Sequence, residues 1–189
     1  MTATKITPGL ITTLAGATGL PASAGFEFVS AVSASTSATV SFTGLDAGYD
    51  HKIIIQTLRP VTDGTLLGMV LGVSGPTYRT ANYLSRVRVG YYAAQTASTT
   101  NVNLHPAFTL GNAVNELASF DIDIFDPGNA SVKTVTFHHG MMFQTTATQH
   151  WTGGASLYTT AEAHTAVQFA MNSGNILAGE FKHYRRPNA

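Results

Sequence analysis

Residues 120–137 read FDIDIFDPGNASVKTVTF, and this stretch decides the fold class. Phe120, Ile122 and Ile124 share one face of a strand, because successive side chains of a strand point to opposite sides. Asp121 and Asp123 then share the other face, as in a strand with one buried and one solvated side. The DPGN that follows is typical of a tight turn, and valines resume the apolar pattern after it. The stretch therefore predicts an antiparallel β-hairpin.

The segments before this hairpin show the same alternation. FEFVSAV at 26–32 and ATVSFTG at 38–44 predict strands with one buried face, joined by a Ser/Thr/Ala-rich turn or weakly paired connection. HKIIIQTL at 51–58 contains three successive isoleucines, which predicts burial on both faces. TLLGMVLGV at 65–73 follows after a PVTDG turn. We expect the last two strands to pair as a central hairpin.

After the opening hairpin, TAVQFAM at 165–171 and ILAGEFKHY at 176–184 flank NSGN and predict a final pair of strands. The only partial helix candidate is TAEAHT at 160–165. Roughly eight to ten strands with no crossover helices predict an all-β domain. We expect an antiparallel β-sandwich, jelly-roll-like, over residues 25–189.

An extended arm, residues 1–24, precedes this domain. It contains two prolines, several glycines and no sustained alternation, so it is not expected to join the core. A solvated tail has no need of apolar side chains, so we expect the arm to dock on another surface; the alternative is a flexible terminus. The candidate docking residues are Ile6, Leu10, Ile11 and Leu14.

Composition excludes several classes of partner. Ten basic and ten acidic residues give no net charge, which argues against nucleic acid and anionic membranes as partners. Membrane insertion is not expected, since no apolar run approaches the roughly 20 residues of a span. The first residues, MTATKITPGL, do not have the pattern of a signal peptide. Charged residues make up only 11% of the chain, against a typical figure of about 25%. Such a surface suits a subunit covered by neighbours, or a protein that works outside a cell.

The sequence predicts no metal, no cofactor and no enzymatic activity. A calcium site gathers about six to eight oxygen ligands, whereas Asp121, Asp123 and Asp126 read as a solvated strand face followed by a turn residue. His138 and His139 are adjacent, so on a strand they point to opposite faces and cannot share one metal. The chain has no cysteine, which removes thiolate sites and thiol nucleophiles.

Two clusters are candidate contacts for a glycan or a partner. In HWTGG, His150 and Trp151 are expected at the lip of a glycine turn, where they would form a stacking platform; the alternative is a tryptophan covering the end of the sandwich. Tyrosine and arginine are favoured at interfaces, although edge-strand aromatics with extended arginines would give the same pattern. This second cluster comprises Tyr78, Tyr83, Arg86, Arg88, Tyr91 and Tyr92.

Two segments resemble a family of bacteriophage virion proteins found in tail fibres and related parts of tailed phages. The first is FEFVSAVSASTSATVSFTGLDAGYDHKIIIQTLRPVTDG, residues 26–64, in which an aromatic strand leads to FTGLD, an aliphatic strand and PVTDG. The second is the closing SGNILAGEFKHYRRP, residues 173–187. The resemblance covers most of residues 25–75 and 165–185.

This resemblance implies a jelly-roll-like sandwich, commonly trimeric, built into the virion as a fibre, a receptor-binding tip or a capsid decoration. The chain carries no coiled-coil or triple-helix shaft, so a small subunit attached through its arm is expected rather than a complete fibre. The expected partners are further copies of the chain, with a trimer favoured, other virion proteins and a host surface glycan.

Two alternatives stay open. A carbohydrate-binding module would use His150, Trp151 and a tyrosine as its stacking surface. An enzyme such as a glycan depolymerase would need carboxylates that meet in a cleft; the candidates are Asp121, Asp123 and Glu162.

Overall fold

The computed structural model describes residues 25–89, 92–105, 109–144 and 148–188. The arm, with Ile6, Leu10, Ile11 and Leu14, lies outside the described residues, as does Tyr91. Within them are thirteen strands: β1 (Glu27–Ser37), β2 (Thr39–Thr43), β3 (Tyr49–Pro60), β4 (Leu67–Val73), β5 (Thr77–Tyr78), β6 (Tyr83–Val89), β7 (Tyr92–Thr99), β8 (Val102–Asn103), β9 (Leu117–Phe125), β10 (Val135–Gln144), β11 (Thr148–Tyr158), β12 (Ala166–Met171) and β13 (Ile176–Pro187).

These strands form two antiparallel sheets packed face to face. The large sheet has the order β1-β13-β3-β9-β10-β11-β6-β7, and the small sheet has the order β2-β12-β4-β5, with β8 beside β4. One layer of the sandwich thus contains β1, β13, β3 and β9, and the opposite layer contains β2, β12, β4 and β5. This strand order is the topology of an eight-stranded jelly roll. The predicted all-β antiparallel sandwich is confirmed. Residues 160–165, the helix candidate, are not helical.

The hairpin predicted from residues 120–137 is confirmed. Strands β9 and β10 pair antiparallel, with Phe125 opposite Val135 across the turn. Phe120, Ile122 and Ile124 are buried, and the two intervening aspartates face the other way. The connection is longer than the predicted DPGN turn: nine residues, 126–134, separate the two strands, and Val132 lies among them with 43% of its surface exposed.

The two other predicted hairpins are wrong. β3 belongs to the large sheet and β4 to the small sheet, and the same holds for β13 and β12. Both connections, at 61–66 and 172–175, therefore cross from one sheet to the other. Turn residues occur both in hairpins within one sheet and in connections between two sheets, so they do not distinguish the two. What decides is the burial of apolar side chains on both sides of the core. The predicted break after residue 32 is also wrong, because β1 continues to Ser37 beside β13.

A single hydrophobic core lies between the sheets. Ile53 and Ile55 point into it from β3, whereas Ile54 faces the outer side of the large sheet. Across the core, the Phe169 ring of β12 lies 5.6 Å from the Phe181 ring of β13, so the two sheets meet through aromatic packing. Phe28, expected on a buried face, is 60% exposed, because it lies on the edge strand β1.

Beyond β9 the large sheet extends through β10, β11, β6 and β7, past the jelly-roll strands. Its inner side is covered by the segment around β8: the Thr152 hydroxyl donates to the Leu104 carbonyl at 3.0 Å, and His105 stacks on Phe120. Polar side chains, including Thr136 and His138, are buried there. The outer side of this extension is exposed and carries the candidate site.

Candidate functional site

Trp151 and His150 face opposite sides of the large sheet. The HWTGG sequence lies inside β11, not at a glycine turn, so the predicted joint platform is wrong. The side chain of Trp151 shares the outer face with its cross-strand neighbour Met141 and is 49% exposed. His150 is opposite Met142, whose side chain is buried in the core, so the imidazole is directed to the inner side.

The Trp151 indole lies across Gly153. A Cβ atom at Gly153 would be only 2.9 Å from the Cζ2 atom of the indole, so the missing side chain is what admits the ring. The indole thus covers part of β11 and leaves about half of its surface open to solvent. Such an aromatic surface is suited to stacking on an apolar ring face.

A shallow trough of about 380 Å³ begins at Trp151 and crosses four strands, β11, β10, β9 and β3. Its volume is within the range of roughly 300–1,000 Å³ found for small-molecule sites. We call it the Trp151 trough. Its main lining side chains on the outer face are Ile54, Gln56, Asp121, His139, Met141 and Trp151.

The carboxylates on this face are bound by one lysine. Lys52 Nζ lies 2.5 Å from Asp121 and 3.0 Å from Asp123. Partial burial opposes the charge of Lys52, but the hydrogen bonds to the two aspartates outweigh it and raise the pKa of the lysine. His139 Nε2 is 3.9 Å from Asp121. Two negative charges therefore share one permanent positive charge.

The tyrosine and arginine cluster is divided by the fold. Tyr83 is only 1% exposed; its hydroxyl accepts a hydrogen bond from the Leu71 amide and donates one to the Arg79 carbonyl. Its predicted role as a surface contact is therefore wrong. Tyr78 is half-buried, with its ring close to Gly72 of β4. Tyr92 begins β7, and Tyr91 lies outside the described residues.

Arg86 and Arg88 are exposed on the same outer face as Trp151. Strand β6 pairs with β11 so that Arg88 is directly opposite Gly153 and Arg86 is opposite Ala155. Neither guanidinium forms an ion pair with any residue in the described ranges. The fold thus joins one member of the first predicted cluster to two members of the second.

Sequence reasoning missed Gln56, His139 and Met141 as parts of this surface. They lie on strands β3 and β10, far from Trp151 in sequence, and only the strand order makes them neighbours. The available signal was the alternation of each strand, which assigns an outer face but not a partner strand.

Glu162 is held apart from the other candidate carboxylates. Arg79 binds it through two hydrogen bonds of 2.8 and 2.5 Å, in the loop before β12. Burial of the imidazole lowers the pKa of the neighbouring His164, while Glu162, 3.6 Å away, opposes that shift. Asp121 and Asp123 instead face outward from β9 beside Lys52. The three carboxylates thus engage two different cations.

Across the described ranges, no group of three or more His, Cys, Asp or Glu side chains is placed to hold a metal ion. Those same residues contain no helix with the length and apolar character needed to cross a membrane.

Comparisons with known proteins add little. No family model matches the chain, and no curated protein matches it. Among solved structures, a protein of unknown function from Shewanella oneidensis MR-1 aligns over 85% of this chain and 73% of its own, with 12% identity and a TM-score of 0.19. A likeness this weak supports no statement about fold or function.

Proposed function

We propose that this chain is a non-enzymatic structural subunit of a bacteriophage particle, placed in a tail fibre, a tail tip or the capsid surface. It assembles as a homo-oligomer, with a trimer favoured, and attaches to other virion proteins through residues 1–24. The observation that carries the proposal is the position of the two segments that resemble phage virion proteins.

Those segments lie far apart in sequence but supply six of the eight jelly-roll strands, which are neighbours in the two sheets. Residues 25–75 supply β1 to β4, and residues 165–185 supply β12 and most of β13. In the large sheet β13 lies between β1 and β3, and in the small sheet β12 lies between β2 and β4. The resemblance therefore follows a structural unit, and jelly rolls recur in viral capsid proteins.

An apolar row on the outer face supports assembly. Leu84, Leu157, Val135 and Phe125 lie opposite one another across β6, β11, β10 and β9. Phe137 projects beside this row, and its ring packs at 5.5 Å against Phe125. Leu84 and Phe137 are exposed and the other three are half-buried, and an apolar patch at the surface is typical of a protein contact. We call these five residues the outer apolar row and assign a second copy of the chain to it.

The solution mass tests this contact. The wild-type chain is expected to sediment at three times its 19.9 kDa mass, and Phe137→Ser with Leu84→Ser is expected to shift it to the monomer. Val114→Ser, a change at a highly exposed valine in the loop before β9, is the matched control and should leave the mass unchanged. A wild-type monomer at micromolar concentration would contradict the homo-oligomer.

Deleting residues 1–24 tests attachment. Phage particles assembled with the shortened chain are expected to lack it, whereas particles assembled with the full chain contain it, as measured by mass spectrometry of purified particles. Circular dichroism of the shortened chain should keep the β-sheet spectrum, because β1 begins after the deletion at Glu27. Equal incorporation of both chains would rule out docking by the arm.

A further inference from the structure

We propose that the Trp151 trough, together with Arg88, binds an oligosaccharide that carries a carboxylate, such as a uronic or sialic acid. The inference does not depend on the chain being a virion protein. It rests on one juxtaposition: an exposed indole lies between a row of hydrogen-bonding side chains on one side and, on the other, an arginine that has no ion pair among the described residues.

The indole supplies the stacking surface. Its benzene ring covers Gly153 and leaves about half of the side chain open, so the apolar face of a sugar ring can lie on it. Met141 and Ile54 continue this apolar floor away from β11. The polar side chains of the lining, Gln56, Ser119, Asp121 and His139, can accept or donate hydrogen bonds to hydroxyl groups.

The register sets the length of the ligand. Asp121, His139, Gly153 and Arg88 are successive cross-strand neighbours on β9, β10, β11 and β6. Three spacings of about 4.8 Å between neighbouring strands place Arg88 about 14 Å from Asp121. This distance exceeds one sugar ring, so the surface accommodates at least a disaccharide.

The charges set the class of sugar. Asp121 and Asp123 are already neutralised in part by Lys52. Arg88, opposite Gly153, and Arg86, opposite Ala155, add two exposed positive charges that form no ion pair among the described residues. Guanidinium groups bind carboxylates through paired hydrogen bonds. A carboxylate therefore belongs at the Arg88 end, and neutral hydroxyls belong at the Asp121 end.

A glycan array tests the proposal with the full chain. The array carries oligosaccharides of galacturonate, glucuronate and sialate, each beside its methyl ester, which keeps the sugar skeleton and removes the charge. The wild type is expected to bind members of the carboxylated set at least tenfold more strongly than their esters. Absence of binding to every carboxylated glycan would overturn the proposal.

Four variants define the site. Trp151→Ala is expected to abolish binding, and Gly153→Ala is expected to weaken it at least tenfold, because the new Cβ displaces the indole without removing it. Arg88→Gln should reduce the preference for the acid over the ester at least tenfold. Lys133→Gln, which removes an exposed positive charge in the turn before β10, is the matched control and should bind like the wild type.

Two outcomes separate a true site from general electrostatic attraction. Equal losses in Arg88→Gln and Lys133→Gln would show that only overall charge matters, and would overturn the site. Undiminished binding by Trp151→Ala would do the same. The solution mass of each variant is measured in parallel, so that a failure of glycan binding is distinguishable from a failure of assembly through the outer apolar row.

Discussion

Replacing Phe181 by alanine is expected to lower the free energy of unfolding by about 3–5 kcal/mol, the usual cost of removing a buried aromatic ring. Phe181 is fully buried on β13, beside Ile55 of β3 and Val32 of β1, and its ring meets Phe169 of the opposite sheet. Its loss leaves a cavity at the point where both sheets touch. Urea unfolding followed by tryptophan fluorescence and circular dichroism measures the change.

The matched control for this variant is Phe28→Ala. Phe28 lies on the edge strand β1, and its ring packs edge to face against that of Tyr184, 5.6 Å away. Because such a pair is worth about 0.5–1.5 kcal/mol, the control should cost about 1 kcal/mol. Equal losses for both variants would mean that β13 does not occupy the centre of the core.

Acid is expected to destabilise the fold between about pH 6.5 and pH 4. Burial, reinforced by His105 and His139, lowers the pKa of His138 to about 4. Burial, followed by the charges of His51 and Arg185, lowers the pKa of His183 to about 4 as well. The unfolded chain, with an ordinary pKa of about 6.5, then binds protons that the folded chain does not. The stability that these two histidines contribute is therefore fully present above about pH 6.5 and is lost as the pH decreases toward 4.

His138→Leu isolates one of these two contributions. Neither ring nitrogen of His138 has a hydrogen-bond partner among the described residues, so leucine removes a buried imidazole without breaking a hydrogen bond. The histidine's share of the acid loss is roughly 3 kcal/mol. We expect the variant to be more stable than the wild type at pH 4.5 by about 2 kcal/mol, measured by urea unfolding.

The control is His139→Leu, which removes an imidazole from the same strand but from its exposed face. The free energy of unfolding of both variants is measured by urea unfolding at pH 7 and at pH 4.5. The loss of stability between the two pH values is then compared. If His138→Leu lost as much stability on acidification as the wild type, the acid sensitivity would have another origin.

Sequence reasoning reached the parts of the fold that depend on neighbouring residues. The hairpin of β9 and β10 was predictable, because alternation and the DPGN turn lie in one short stretch. The crossings from β3 to β4 and from β12 to β13 were not, since a hairpin and a crossing begin with the same turn residues. The sheet and the neighbours of each strand depend on which other strands compete for the same position. The alternation of apolar and polar residues carries no information about those competitors.

The candidate site shows the same limit. Trp151, Arg86 and Arg88 were each predicted as contact residues, but their union on one face depends on β6 pairing with β11, more than sixty positions along the chain. The surface positions predicted for His150 and Tyr83 were wrong, because the sequence near them indicated neither the strand boundaries nor which face of the strand is the inner one. In β10 the buried positions include Thr136 and His138, so polarity did not distinguish inside from outside there.

The place of β13 between β1 and β3 has a consequence for how the protein is made. A ribosome releases β1 and β3 more than a hundred residues before β13, and the two early strands have no direct pairing to hold them together. Until β13 is inserted, the isoleucine-rich edge of β3 is open to pairing with other nascent chains. Folding dominated by such distant pairings is slow. Chaperone demand during synthesis, and aggregation of any product that stops short of residue 176, both follow from this one strand order.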